Sequence, residues 1–391
     1  MPALSVDTMQ DHSSLPAPSA PVSSRPTAAV IDLGAIEHNF REAVRRAEGW
    51  QVLAVVKAQA YGHGAVRVSR RRLALGAGML GVALVEEGKE LRDAGIEAPI
   101  LLMGPMFPEQ AEAAATLNLT PAVYSMPVAR ALSEATRKLG RKISVHAKID
   151  TGMGRIGVTP EDAPGFVSAL RGLSGIEVTG LMTHFADADL RDKRFASEQM
   201  DRFEALLREL DAMGVDLPAR HAANSAAVLD FRRALFTMVR PGLMLYGYNP
   251  LEQATEGADL RPALSLVSRI AFLKKVPAGI PISYGRTFVS KRESVIATLP
   301  IGYADGYSRG LSNKGEALVR GRRARVAGRV CMDMCMIDVT DVPGVREGDE
   351  VVLIGSQAGE RVTADEIAVK TGTIPYEVLC GIGSRVPRIY L

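Results

Sequence analysis

The sequence predicts an α/β protein: an N-terminal (β/α)8 TIM-like barrel followed by a mostly β domain. Three observations carry this expectation. Eight short, near-continuous apolar runs recur between residues 52 and 240, as parallel strands buried on both faces require. Amphipathic segments with a 3.6-residue period separate them. Beyond Pro262 the helical rhythm gives way to short β-rich runs punctuated by Gly, Pro and Asp. A doubly wound open sheet is the alternative should the strand count be off by one or two.

The chain has 391 residues, enough for two or three domains of ~100–200 residues each. The expected division is a disordered tail over 1–26, the barrel over 27–255 and a β-rich domain over 256–391. The tail is rich in Ser, Pro and Ala and has no apolar period. It also lacks the basic start and apolar stretch of a secretory signal, since Asp7 and Asp11 occupy the start.

From Ala28, AVIDL reads as a strand. A helix follows with Ile36, Phe40, Ala43, Val44 and Ala47 on one face. The eight barrel strands are then expected at VLAVV (52–56), MLGVALV (79–85), PILLMG (99–104), PAVYS (121–125), ISVHAKI (143–149), IEVTGLMTHF (176–185), ARHAAN (219–224) and FTMVR (236–240). Among the helices between them, one carries Met200, Phe203, Leu206, Leu210 and Met213. Another is expected to open at Thr159-Pro160, a cap followed by a first-turn proline. PLEQATEGADLRP reads as a linker. The second domain begins with ALSLVSRIAFLKKV and continues through SVIATLP, ALVRGRRARVAG, VCMDMCMIDV and EVVLIG.

Composition excludes several function classes. Lys plus Arg total 47 against 44 for Asp plus Glu, a net charge of +3, which gives no general attraction to nucleic acid or membrane. The basic run RGRRAR has no interleaved aromatic residues and reads as a solvated strand face. No apolar run approaches the ~20 residues of a spanning helix. Cys331, Cys335 and Cys380 make no disulfide framework. Cys331 and Cys335 are read as one strand, which separates them by about 13 Å and points to reduced thiols in a cytoplasmic protein. No H-E-x-x-H or C-x-x-C is present, so metal chemistry lacks its signatures.

In such a barrel the chemistry belongs at the carboxyl ends of the strands. Lys57 directly follows the first apolar run. It is either a lysine snorkelling to the rim or a desolvated amine suited to a Schiff base, with Tyr61 within reach of the same mouth. The fifth run ends in KIDTGMGRIG. Its glycines 152, 154 and 157 match a dinucleotide fingerprint, but no helix opens on them, so a tight turn is the better reading. Arg155 in that turn can clamp a carboxylate. His184 ends the sixth run and is suited to stacking on a ring, or to simple burial. Asn224, Ser225 and Gly242 follow the seventh and eighth runs, where barrels often hold phosphate. Arg240 ends an apolar strand, where an unpaired charge is costly; a ring nitrogen or a structural carboxylate would satisfy it. An amine, a phosphate nest, a histidine and an arginine together fit pyridoxal phosphate as cofactor.

These motifs resemble those of the alanine racemase family of fold-type III pyridoxal-phosphate enzymes. The matching strings are AVVKAQAYGHG, KIDTGMGRIGV, THFADAD, HAANSAA, VRPGLMLYGYNP, ISYGRTF, LPIGYADGYSR, GRVCMDMCMIDVT and IPYEVLCGIGSRVPR. The resemblance runs from about Ala28 to Leu391. It implies interconversion of L- and D-alanine, the latter for peptidoglycan, with Lys57 and Tyr284 as bases on opposite faces of the substrate. It implies that Lys57 carries the cofactor and that Tyr61, Asn224, Ser225, Gly242, Leu243 and Tyr376 surround the phosphate. His184 would lie against the ring and Arg240 at the pyridine nitrogen. Arg155 and the Met332 backbone N–H would take the substrate carboxylate. Lys148 matches a lysine often carbamylated in the family. Tyr284 would reach the site from the other subunit of a homodimer with composite sites. Gln59 departs from the family's Asn between the lysine and the tyrosine. A broader racemase would be expected to lack the narrow gate that Tyr284, Tyr303, Tyr376 and Ile374 resemble. A cofactor carrier built from the barrel alone would not need the second domain.

Overall fold

A computed structural model describes residues 25–252 and 258–391. Apart from Arg25 and Pro26, the expected tail lies outside the described residues, as does the middle of the expected linker. Arg25 is ordered: its guanidinium pairs with the buried carboxylate of Asp305 at 2.8 Å and donates to Arg385 O and Pro300 O.

The eight expected barrel strands form one parallel sheet. In chain order they are β2 (Gln51–Val55), β3 (Met79–Val82), β4 (Ile100–Leu102), β5 (Thr120–Val123), β6 (Ile143–Lys148), β7 (Ile176–Met182), β8 (Ala219–His221) and β9 (Met238–Val239). Neighbours in sequence pair in parallel from β2 to β8, and β9 returns to pair with β2. At the remaining seam, between β8 and β9, the Arg240 N–H donates to Ala223 O at 2.9 Å. The strands are apolar on both faces because helices cover the outside and side chains fill the inside. Val52 to Val55 are all buried, for example, and so is every residue of β3.

Two helices follow the expected faces. Leu33–Arg46 is capped by Asp32, whose carboxylate accepts from Ala35 N at 2.9 Å, and it buries Ile36, Phe40 and Ala43. Val44, expected on that face, is largely exposed. Arg194–Ala212 buries Met200, Phe203, Leu206 and Leu210. The helix expected at Thr159 instead runs Ala163–Arg171. The Thr159 hydroxyl bonds the Asp162 N–H and carboxylate, so Thr159 closes a turn ahead of the helix rather than capping it.

β1 (Ala28–Ile31), the AVIDL strand, is not part of the parallel sheet. It pairs antiparallel with β10 (Leu264–Arg269) and parallel with the strand Arg388–Tyr390. It therefore lies inside a mixed, mostly antiparallel ten-stranded sheet built from the C-terminal half of the chain. A short apolar strand carries no mark of which sheet it will join; that is decided by partners far along the chain, at Leu264–Arg269 and Arg388–Tyr390. Cys331 and Cys335 also differ from expectation. Only Cys335–Asp338 is strand, and Cys331 to Met334 is a turn closed by Cys331 N donating to Met334 O at 2.9 Å. All three cysteines are free thiols. Among the described residues no helix is long and apolar enough to cross a membrane.

Candidate active site

Lys57 follows β2 directly, and the backbone behind it is unusual. Ala58, Gln59, Ala60 and Tyr61 all have φ between +51° and +55°, a full left-handed turn of non-glycine residues. Each costs about 1–2 kcal/mol relative to right-handed helix, and such strain persists only where the surroundings fix it. Here Glu87 accepts the Ala58 N–H at 2.7 Å and the Ala83 N–H at 2.7 Å. The Gln59 amide donates to Glu90 at 2.5 Å and accepts from Ala65 N at 3.3 Å, so Gln59 helps hold the turn. Gly62, at φ +83°, ends the turn so close to Leu379 O that a Cβ would collide with it. The turn delivers the Tyr61 ring into the barrel mouth.

A cavity of about 440 Å³ opens at the carboxyl ends of the strands. It gathers eleven of the thirteen residues expected from the sequence. Lys57, Tyr61, Lys148, Arg155, His184 and Arg240 line it together with Asn224, Ser225, Gly242, Leu243 and Tyr376. Tyr376 comes from the helix Pro375–Cys380, which packs against the turn after Lys57.

At one end of the cavity Ser225 Oγ accepts from the N–H groups of Gly242 (2.8 Å) and Met244 (3.3 Å), leaving its own proton to donate. The Asn224 side chain caps the short helix Ser225–Asp230 through Ala227 N at 3.0 Å. A Cβ on Gly242 would collide with the Tyr61 hydroxyl. Backbone N–H groups and hydroxyls thus converge where only glycine leaves room.

The floor is cationic and buried. Arg240, 4% exposed, has no carboxylate partner among the described residues. Its Nη1 donates to His221 Nδ1 at 2.9 Å, and its Nη2 donates to Thr183 O at 2.7 Å and Ala222 O at 3.0 Å, with His184 Nδ1 at 3.3 Å. Burial lowers its pKa to about 10, so it stays charged. The donation fixes His221 as Nε2–H, and that proton meets His146 Nδ1 at 2.8 Å. Burial, then Arg240, pushes His184 and His221 well below the usual histidine range and His146 to about 4. All three are neutral at pH 7.

Lys148 is 3% exposed and donates to Ile149 O at 2.9 Å. Burial and the nearby Arg240 lower its pKa to about 7, against a smaller opposing effect of Asp150. Lys57 is lowered too, by burial first and Arg155 second. Arg155 sits in the turn after β6, where Asp150 accepts the N–H groups of Gly152 and Gly154. The three glycines there make a turn, and none opens a helix.

Tyr284 and Met332 are not in the cavity. Tyr284 is 72% and Met332 53% exposed on the second region. Ser283, Gly285 and Arg286 around the tyrosine all have positive φ, a tight and prominent turn.

Sequence reading missed His146, His221, Arg72 and Glu87. His146 had a signal. It stands two residues before Lys148 on one strand, so both point to the same face. Glu87 and Arg72 had none, since each looks like a solvated helix residue.

The barrel and the mouth that collects an amine, two guanidiniums and a set of hydroxyl and backbone donors define a TIM-barrel enzyme with an appended β region. Its membership is narrower. The alanine racemase N-terminal domain family matches residues 31–250, and the alanine racemase C-terminal domain family matches 263–390. The chain belongs to the alanine racemase family, and so to the isomerases. It is 50% identical over 369 residues to the alanine racemase of Halothermothrix orenii, across 94% of this chain and 97% of that one. Among solved structures, that of alanine racemase from Clostridium difficile 630 superimposes with a TM-score of 0.91 at 39% identity, across 94% of this chain and 96% of that one. Alanine racemase from Bacillus anthracis with bound L-Ala-P superimposes at 0.87 and 38% identity, across 95% and 96%.

Proposed function

We propose that this chain interconverts L- and D-alanine with pyridoxal 5'-phosphate, by a two-base mechanism, as a cytoplasmic homodimer whose D-alanine goes to peptidoglycan. The observation that carries the reading is one cavity holding a desolvated amine, a carboxylate-free buried arginine and a glycine-lined donor nest, in a chain of this family.

The residues present fit the cofactor. The nest at Tyr61, Asn224, Ser225, Gly242, Leu243 and Tyr376 suits a phosphate, because its donors converge around a glycine that a Cβ would block. Arg240 suits a ring nitrogen, because it holds a positive charge and its partners among the described residues are neutral histidines and carbonyls. His184 would lie against the ring, and Lys57 would hold the cofactor covalently. When bound, pyridoxal phosphate supplies the electron sink that acidifies the substrate α-carbon.

The chain's own residues handle the protons and the charge. Lys57, its pKa lowered by burial and Arg155, takes or returns the α-proton on one face. Tyr284 of the partner subunit does so on the other, which accounts for an exposed tyrosine on a tight turn. Arg155 binds the substrate carboxylate, with the Met332 N–H of the partner subunit as a second donor. Arg240 cannot give up its proton at neutral pH, so the ring nitrogen it faces stays unprotonated and transamination is suppressed. Lys148 is partly neutral at pH 7. The neutral amine is the form that takes up carbon dioxide, and a carbamate there would set a negative charge among Arg155 and Arg240.

Incubation of the holoenzyme with L-alanine, followed by chiral analysis, tests the reading. Approach to an equal mixture of enantiomers is expected. No D-alanine, or faster turnover of bulkier amino acids, would contradict it.

A further inference from the structure

Arg72, in the helix Ala65–Ala74, is fully buried and pairs with no carboxylate among the described residues. Its Nη1 donates to Val55 O at 3.2 Å and Tyr246 Oη at 3.1 Å, and its Nη2 to Leu245 O at 3.2 Å. Its Nε has no partner. The Val55 and Leu245 carbonyls belong to the two chain segments that lead into Lys57 and out of Leu243, so the guanidinium ties the end of β2 to the segment after β9, behind the cavity.

It also begins a column. The guanidinium lies over the Tyr246 ring, 4.4 Å from its centroid. Tyr246 stacks on Tyr61 at 4.7 Å and 29°. Tyr61 faces the cavity, its hydroxyl against Gly242. A buried charge surrounded by carbonyls, a tyrosine hydroxyl and that tyrosine's ring is costly unless an opposite charge lies nearby. The residues assigned above to the phosphate, Tyr61, Asn224, Ser225, Gly242, Leu243 and Tyr376, carry no charge of their own.

We propose that Arg72 is a positioning residue that supplies the buried counter-charge for the phosphate monoester taken at this end of the cavity, acting through the Tyr246–Tyr61 column. The inference rests on the cofactor reading above.

The other titratable groups facing the column leave the role to cations. His63 packs on Tyr246 with ring centroids 4.6 Å apart. Burial first, and Arg72 among the charges, hold it near a pKa of 3, so it is neutral. Burial raises Tyr61 well above its usual value, Tyr246 to about 12, and also Tyr376, tilted against Tyr61 with centroids 5.9 Å apart, to about 12; it raises the Cys380 thiol too, so all four are neutral. Lys57, beside Cys380 in the cavity, is the amine assigned to the cofactor, and Arg388 is a further nearby cation. It is committed to the carbonyls of Gly62, Ile382, Gly383 and Val386 and is left unchanged in the test.

The test is the pH titration of the bound-cofactor phosphorus NMR signal in the holoenzyme, its Arg72→Lys variant and its Arg72→Gln variant. A free phosphate monoester takes up its second proton near pH 6. The wild type and Arg72→Lys, which keep the charge, should hold the dianion to lower pH. Arg72→Gln should titrate roughly one pH unit higher than either and release the cofactor faster on dialysis. Superimposable Lys and Gln titrations would overturn the proposal, because a purely structural role weakens both alike. If neither variant folds, the wild type decides: a bound phosphate titrating at or above the free value overturns the proposal, and one held dianionic well below it supports it. Absence of any bound phosphorus signal in the wild type would instead remove the cofactor reading itself.

Discussion

The two regions that carry the residues proposed for the reaction hold them in opposite ways. The barrel side chains are buried and over-determined: Arg240 has four partners, the left-handed turn after Lys57 is braced by Glu87 and Glu90, and Gly242 lies against Tyr61. Tyr284 and Met332, in the second region, are exposed on tight turns. Barrel strand ends can pre-organise a cofactor within one chain. A base that must stand on the far side of the substrate is better presented by a surface that a second copy brings up. On the proposed mechanism, the chemistry of the cofactor would be set by the fold and that of the second base by assembly.

The largest effect should come from the barrel half. Lys57→Ala is expected to lower racemisation by more than about a thousandfold and to abolish the cofactor's visible absorbance. A variant that keeps both would break the assignment. Arg240→Glu comes next. Losing the fixed charge should cost about a hundredfold in racemisation, while product analysis shows more pyruvate from transamination. Weakened alanine binding with an unchanged product ratio would show that Arg240 serves the substrate instead.

Lys148 gives a smaller effect. A carbamate should appear by carbon NMR in labelled bicarbonate and vanish in Lys148→Arg, with activity responding to bicarbonate near pH 7, where the amine is partly neutral. An unlabelled, bicarbonate-insensitive enzyme would leave Lys148 as a buried amine only.

The smallest effect is on stability. His63 and His146 are held near pKa 3 and 4 in the fold, against ~6.5 in the unfolded chain. Above ~6.5 neither state is protonated and their contribution to stability is whole. As pH falls through the window below it, the unfolded chain binds protons that the native state refuses. Stability should therefore drop by up to about 1.4 kcal/mol per pH unit for each group. Urea midpoints at several pH values between 7 and 5 check this, and His146→Asn should flatten the slope. An unchanged slope would mean that His146 is protonated in the native state.

Sequence patterning made the barrel legible because parallel strands buried on both faces announce themselves as continuous apolar runs. The site was legible because lysine, histidine and arginine at the ends of such runs are chemically out of place. Long-range pairing was not legible. β1 has the composition of a barrel strand and joins the other sheet, because its partners are β10 and Arg388–Tyr390. The left-handed turn at Ala58 to Tyr61 contains no glycine to advertise it; tertiary contacts with Glu87 and Glu90 impose it. Arg72 follows Arg70 and Arg71 in a run that reads as a solvated face, yet helix rotation puts it inside. Thr159 carries a cap signal, and its hydroxyl spends it on a turn.

On the proposed mechanism, Lys57 and Tyr284 act together in one site while belonging to different chains. Lys57→Ala and Tyr284→Phe homodimers should each be inactive. Unfolded together and reassembled, they should form mixed dimers in which one site has both residues and the other neither, so activity should reappear, at up to about half the wild-type value per mixed dimer given two equivalent composite sites. Persistent inactivity of mixed dimers proven by mass would contradict the account and place both residues in one chain, or remove Tyr284 from the reaction.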